Sequence, residues 1–202
     1  MNKRIMMAAL LAAALVACKD VPQQAGADKL AAGCLPGGEG SLEAALRGAM
    51  DADIAWANAQ MECDGDLRPD GSGLRITIAG PLPAALAGSG AAADTARRLR
   101  FIFGVDIEDT AAGTAQVLPT NLTVIIEGGE QLYATRGSEL CAVEGLERAA
   151  SGADTERVSA RGYCLGPASD LAGDKRLLVP TFSFTALVRT GEETTELLQT
   201  AQ

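Results

Sequence analysis

The sequence predicts an all-β domain, an antiparallel β-sandwich or barrel-like fold of roughly eight strands with little helix. Two stretches, Leu99–Ile107 and Phe182–Val188, alternate apolar and polar residues with period two, the signature of a half-buried strand. Glycine, proline and Asp-Gly pairs punctuate the chain between such runs, so the connections are short and the strands pair antiparallel. Little of the 202-residue chain has convincing helical character.

The chain opens on Lys3-Arg4, an apolar run from Ile5 to Ala17, and Cys18. The run falls short of the ~20 residues that a membrane-spanning helix needs. A basic start, a short apolar stretch and small residues at its end read as a signal peptide over residues 1–17. Leu15-Val16-Ala17-Cys18 resembles the lipobox of bacterial lipoproteins. That resemblance implies cleavage before Cys18, a diacylglycerol thioether on its sulfur and an acylated amine. Several acyl chains anchor stably where one is marginal. In that family an aspartate after the cysteine signals inner-membrane retention. Lys19 stands there instead, which implies the outer membrane. An ordinary secretory leader with an incidental cysteine is the alternative. Residues 18–33 are small and polar and read as a lipidated tether, and residues 34–202 as a single disulfide-bearing β-domain.

From Leu42 to Trp56 every even position is apolar or glycine, while Glu43, Arg47, Asp51 and Asp53 occupy odd ones. That predicts two strands broken near Gly48–Asp51, with a single helix over Leu42–Met50 as the alternative. Asp64-Gly65 and Asp70-Gly71-Ser72-Gly73 are turn signals. They separate a strand ending near Cys63 from Leu74-Arg75-Ile76-Thr77-Ile78. Pro81 and Pro83 end that strand because proline cannot donate to the ladder. Ala84–Ala93 is low-complexity alanine and glycine and is expected to be a loop.

Leu99, Phe101, Phe103, Val105 and Ile107 form the clearest amphipathic strand. Leu122–Ile126 is β-branched and apolar, as a central strand should be. Gly128-Gly129 turns the chain into Leu132–Thr135. Gly145–Thr155 reads as a connection with room for one helical turn, and Val158–Leu165 as a further strand. Leu178, Phe182, Phe184, Ala186 and Val188 line one face of a long last strand. Thr181, Ser183, Thr185 and Arg189 line the other, before a polar tail over residues 191–202.

Beyond Cys18 the cysteines are Cys34, Cys63, Cys141 and Cys164, an even number that in an exported chain suggests two disulfides. Three pairings are formally possible. Cys34–Cys63 and Cys141–Cys164 are favoured because each closes a local loop, contributing ~3–4 kcal/mol in the chain-entropy model. No Cys-x-x-Cys pair and no histidine occurs, so a zinc site is not expected. The formal net charge of −9 argues against a nucleic-acid partner and against adsorption to anionic headgroups, leaving the lipid to hold the protein at the membrane.

Several segments together resemble a group of Gram-negative envelope lipoproteins. They are Gly40-Ser41-Leu42, Cys63-Asp64-Gly65, Arg68-Pro69-Asp70-Gly71 with Gly73-Leu74-Arg75, Leu118-Pro119-Thr120-Asn121-Leu122-Thr123, Cys141, Tyr163-Cys164 and Phe182-Ser183-Phe184. The resemblance covers about Gly40 to Val188. It implies an exported, disulfide-bearing β-domain and brings no activity, cofactor or catalytic residue with it.

Lack of histidine removes Ser-His-Asp, Cys-His and histidine-based metal chemistry together. Gly-x-Ser-x-Gly and Ser-x-x-Lys are absent as well. Carboxylates remain. Asp51 with Asp53, or Asp106 with Glu108, could project from one strand face as glycoside hydrolysis requires, against the plainer reading of a solvated acidic face. Asp64, Asp66 and Asp70 resemble a calcium loop, but Arg68 stands where a ligand is needed and Pro69 where the glycine belongs. A hairpin connection is the simpler reading, with Arg68 and Arg75 available to neutralise the aspartates. Trp56, Tyr133 and Tyr163 could form a sugar platform, yet so few aromatics are more naturally core. The expected function is therefore a non-enzymatic envelope lipoprotein without cofactor, serving as a structural or protein-interaction module with an envelope protein partner. A small-ligand or carbohydrate-binding protein is the alternative, and a carboxylate-based hydrolase a third. Cys18→Ser should abolish lipid attachment and move the protein out of the membrane fraction. Palmitate label still incorporated by that variant would overturn the lipobox reading.

Overall fold

A computed structural model describes residues 33–68, 71–86, 97–107, 117–129 and 131–190. The leader, Cys18, most of the tether, Asp70, Glu108, most of the alanine-rich loop and the polar tail lie outside the described residues. The described chain is all-β. Its strands are β1 (Ser41–Gly48), β2 (Ala52–Ala57), β3 (Glu62–Leu67), β4 (Gly73–Pro81), β5 (Arg98–Asp106), β6 (Leu118–Ile126) and β7 (Leu132–Ala134). They continue with β8 (Cys141–Ala150), β9 (Thr155–Cys164), β10 (Ala168–Asp170), β11 (Arg176–Leu178) and β12 (Phe182–Arg189). Short 3-10 turns at Asn58–Gln60 and Ala84–Leu86 are the helical elements among the described residues.

The strands form one sheet that closes on itself. Pairing runs β3–β4–β5–β6 and, on the other side, β8–β9–β12. Two seams join these arcs. At one, β6 meets β8 antiparallel, with Leu118 opposite Val143 and Thr120 opposite Cys141. At the other, β3 meets β12 with Asp66 beside Arg189. The fold is thus barrel-like, and inward side chains fill it. This second seam is parallel, a departure from the all-antiparallel expectation; no hairpin joins β3 to β12, so nothing local fixes their relative direction.

Period-two patterning places the core as expected. Leu99, Phe101, Phe103 and Val105 on β5 are fully buried, and so nearly are Phe182, Phe184, Ala186 and Val188 on β12. The Phe103 ring lies 4.9 Å from Phe182 and 4.8 Å from Phe184, centroid to centroid, so the two arcs meet through aromatic packing. Leu42, Leu46, Ile54 and Trp56 are buried too, which settles the segment from residue 41 to 57 as two strands rather than a helix.

Four expectations need correction. Asp64-Gly65 is not a turn but lies within β3. The chain reverses between β3 and β4 instead, where the Gly71 N–H donates to the Arg68 carbonyl and the Arg68 N–H to the Gly73 carbonyl, both at 2.8 Å. Glycine is needed at 65 for another reason: a Cβ there would come within 2.7 Å of the Leu187 carbonyl as β12 crosses. Gly145–Thr155 is not a connection, because β8 runs through Cys141–Ala150. A bulge between Val143 and Gly145 breaks its alternation, and its outer half, from Glu147 to Ala150, is exposed and so carries no apolar stripe. The long last strand is two. β11 and β12 lie end to end along β1, interrupted around Pro180, which has no N–H to donate. Twelve strands replace roughly eight mainly because β8 and the three-residue strands β10 and β11 have too little pattern to be seen.

Both disulfides adopt the local pairing. Cys34–Cys63 spans a Cα–Cα distance of 4.7 Å and Cys141–Cys164 one of 3.9 Å. Denaturant melts should separate the two faces of β5 and β12. Phe103→Ala or Phe184→Ala should cost about 3–5 kcal/mol, whereas Ser183→Ala should stay within about 0.5 kcal/mol. Equal sensitivity at Phe184 and Ser183 would contradict the observed register.

Candidate functional site

The face opposite the phenylalanine core, on β2, β1, β12, β9 and β8, is built from small and polar residues. Register aligns them in rows across the strands. One row is Ala55, Glu43, Ser183, Arg161 and Gly145, and the next is Ala57, Ser41, Thr185, Ser159 and Glu147. The inward neighbours Phe182, Phe184, Ala160 and Leu42 are buried, so the same alternation that packs the core forces these residues outward. Their small size leaves an open groove. Its two adjoining parts, of about 530 and 310 Å3, share Arg161 and Ser183.

The floor is hydroxyl-rich, with Ser159 Oγ and Thr185 Oγ1 3.1 Å apart. Its charges are predominantly acidic. Glu43, Asp53 and Glu144 line one part and Glu147 the other, against Arg161. Among the described residues Arg161 has no carboxylate within ion-pair distance. Asp53 is held by Arg47 at 2.7 Å, at the β2 end of the groove. Five strands spaced ~4.8 Å apart give a groove about 19 Å across, the length of about six residues of extended chain.

The residues singled out from the sequence fall elsewhere, Asp53 apart. Asp51 does not share a strand face with Asp53. It sits in the β1–β2 turn, where its carboxylate accepts the Gly48 N–H at 3.4 Å. Asp106 ends β5 and pairs with Arg68 at 2.8 Å. Asp64 and Asp66 point outward from β3 and share Arg189, at 2.6 and 2.9 Å, so their counter-ion is neither Arg68 nor Arg75. Partial burial works against the Arg189 charge, but the two aspartates outweigh it and raise the guanidinium further above its ordinary value. Trp56 is buried edge-on against Phe101, Tyr133 is buried on β7, and Tyr163 is half-buried on β9, so the three rings form no platform. Among the described residues no histidine, cysteine or carboxylate group gathers as metal ligands would.

No protein-family model, no curated protein and no solved structure matches the chain.

Sequence reasoning passed over Ser41, Ser159 and Arg161. The signal was present as Ser-x-Glu, Ser-x-Arg and Ser-x-Thr at period two in residues 41–43, 159–161 and 183–185. Adjacency of those strands was not, because β1 and β12 are separated by most of the domain. With Arg189 already bridging Asp64 and Asp66, added calcium should leave the melting temperature of the protein unchanged. A saturable rise that disappears in Asp66→Asn would show that the loop takes the metal after all.

Proposed function

We propose that this chain is a lipid-anchored protein of the cell envelope, held in the outer membrane through Cys18, whose β-domain is a protein-interaction module. Its groove takes an extended, basic segment of a partner protein. The observation that carries this is the five-strand groove itself, about as long as six extended residues, floored by hydroxyls and bounded by Glu43, Glu144 and Glu147. Hydroxyl side chains can both donate to and accept from a passing backbone, and the surplus of carboxylates favours lysine or arginine on the incoming segment.

Other features support binding over catalysis. Asp53, Asp64, Asp66 and Asp106 are each engaged with an arginine, and Asp51 holds a turn, so none of these stands beside a second free carboxylate. The acidity of the chain disfavours nucleic acid as the partner. Among the described residues no helix is long and apolar enough to cross a membrane, which is compatible with attachment through lipid.

A photo-crosslinking residue at Ser183, in the full-length lipidated protein in intact cells, should trap a discrete partner through a basic segment of that partner. The same residue at the exposed Leu171 should not. Reversing charge with Glu43→Lys and Glu144→Lys should reduce the Ser183 crosslink by about tenfold. Crosslinking that is equal at both positions, or indifferent to charge reversal, would overturn the proposal.

A further inference from the structure

A second recess, of about 360 Å3, lies away from the groove and is lined by Arg97, Gln131, Tyr133, Asp170 and Lys175. Its parts are placed by backbone pairing and tight turns. Tyr133 and Asp170 stand opposite each other across the β7–β10 pair. Tyr133 is only 1% exposed as a residue, and it reaches the recess alongside Asp170. Asp170 Oδ1 accepts the N–H groups of Gly173 at 2.6 Å and Lys175 at 3.2 Å, which fixes the β10–β11 turn and brings Lys175 to the rim. Gly173 sits at φ +84°, where a side chain would be strained. Arg97 reaches in over the β6–β7 turn, where a Cβ on Gly129 would come within 2.9 Å of its Nη2.

Two cations therefore face one recess with a carboxylate, a phenol and an amide. Among the described residues neither Arg97 nor Lys175 has a carboxylate within ion-pair distance, although Asp170 lines the same space. Asp170 is committed through one oxygen to the turn, leaving the other as an acceptor. Burial, reinforced by the Asp170 charge, raises the Tyr133 pKa, so the phenol stays a donor through neutral and mildly alkaline pH.

We infer that this recess binds a small sugar acid of the hexuronate class, its carboxylate on Arg97 and Lys175 and its hydroxyls on Asp170, Tyr133 and Gln131. The donor set selects for both halves of such a ligand. A neutral sugar leaves one of the two cations without a counter-charge, since Asp170 offsets only one, and an inorganic anion offers Asp170 fewer O–H donors than a sugar does. A carboxylate on arginine and lysine makes charge-assisted bonds, while Asp170 can accept only from hydroxyl or N–H donors. The volume lies near the lower end of the ~300–1,000 Å3 typical of small-molecule sites, which suits one monosaccharide.

Calorimetric titration of the purified full-length chain in detergent micelles tests this, with galacturonate, glucuronate, galactose and inorganic phosphate as probes. At least one hexuronate should bind, and galactose and phosphate should bind at least about tenfold more weakly. Arg97→Gln and Lys175→Gln should each weaken hexuronate binding about tenfold or more, at unchanged melting temperature, and Lys175→Arg should retain most of it. Ser183→Ala, in the groove, should leave it untouched. The inference is overturned if neither hexuronate binds, if phosphate binds as well as the hexuronates, or if folded charge-removal variants bind like the parent. None of these outcomes bears on partner capture at the groove, so the two readings stand or fall separately.

Discussion

Everything in this fold depends on closing the sheet, and closure depends on β12. One edge of β12 is taken by β9 along its whole length. The other edge is divided: its first half pairs with β1 and its end meets β3. That division lets a single strand hold the two arcs together, and it is why Gly65 must lack a side chain where the strands cross. At this seam the Leu187 N–H donates to Cys63 Sγ at 3.5 Å, so the Cys34–Cys63 bridge sits directly against β12. At the other seam Cys141 is at once opposite Thr120 on β6 and bonded to Cys164 on β9. Each crosslink therefore has one cysteine beside a short ladder, although Cys141–Cys164 itself joins two strands that pair along nearly their whole length.

The aromatic core and the outer groove are two readings of one alternation. Phe182 and Phe184 turn inward to meet Phe103, and this forces Ser183 and Thr185 outward. The size contrast between the faces matters more than polarity alone. Large rings inside hold β12 against β5, while serine, alanine and glycine outside keep the floor low enough to leave an open trough. Among the described residues seven arginines are neutralised by carboxylates, Arg100 by Glu127, Arg148 by Glu156 and Arg189 by two aspartates among them, whereas Arg161 and Lys175 have no carboxylate within ion-pair distance and line the groove and the recess.

Fold class, core faces and disulfide pairing were legible because each depends on local pattern. Alternation through Leu99–Val105 and Phe182–Val188 requires only the period of a strand, and the paired cysteines lie 29 and 23 residues apart. What was not legible depends on who neighbours whom. β8 hid behind its bulge and its exposed outer half, and β11 merged with β12 because the apolar residues Leu178 and Phe182 fall in one period-two row across Pro180. The acidic candidates misled for the same reason. Asp64 and Asp66 invite a metal until Arg189, more than a hundred residues away, is brought beside them by the parallel seam. Neither recess could be read from the sequence, since each is assembled from strands that meet only after closure.

A sulfur–sulfur bond beside each seam makes thiol chemistry part of how this sheet is held closed. The seams themselves carry little pairing: three residue pairs at one and a single pair at the other. A chain whose thiols stay reduced must hold the ring shut with those few contacts and its core packing alone. Oxidation ties the segment ahead of β1 to β3, two parts of the chain that share one edge of β12, and it fixes the paired ends of β8 and β9 beside the other seam. Reducing the two bridges removes covalent constraint beside the parts of the ring with the fewest backbone bonds and leaves the long β8–β9 and β9–β12 ladders in place.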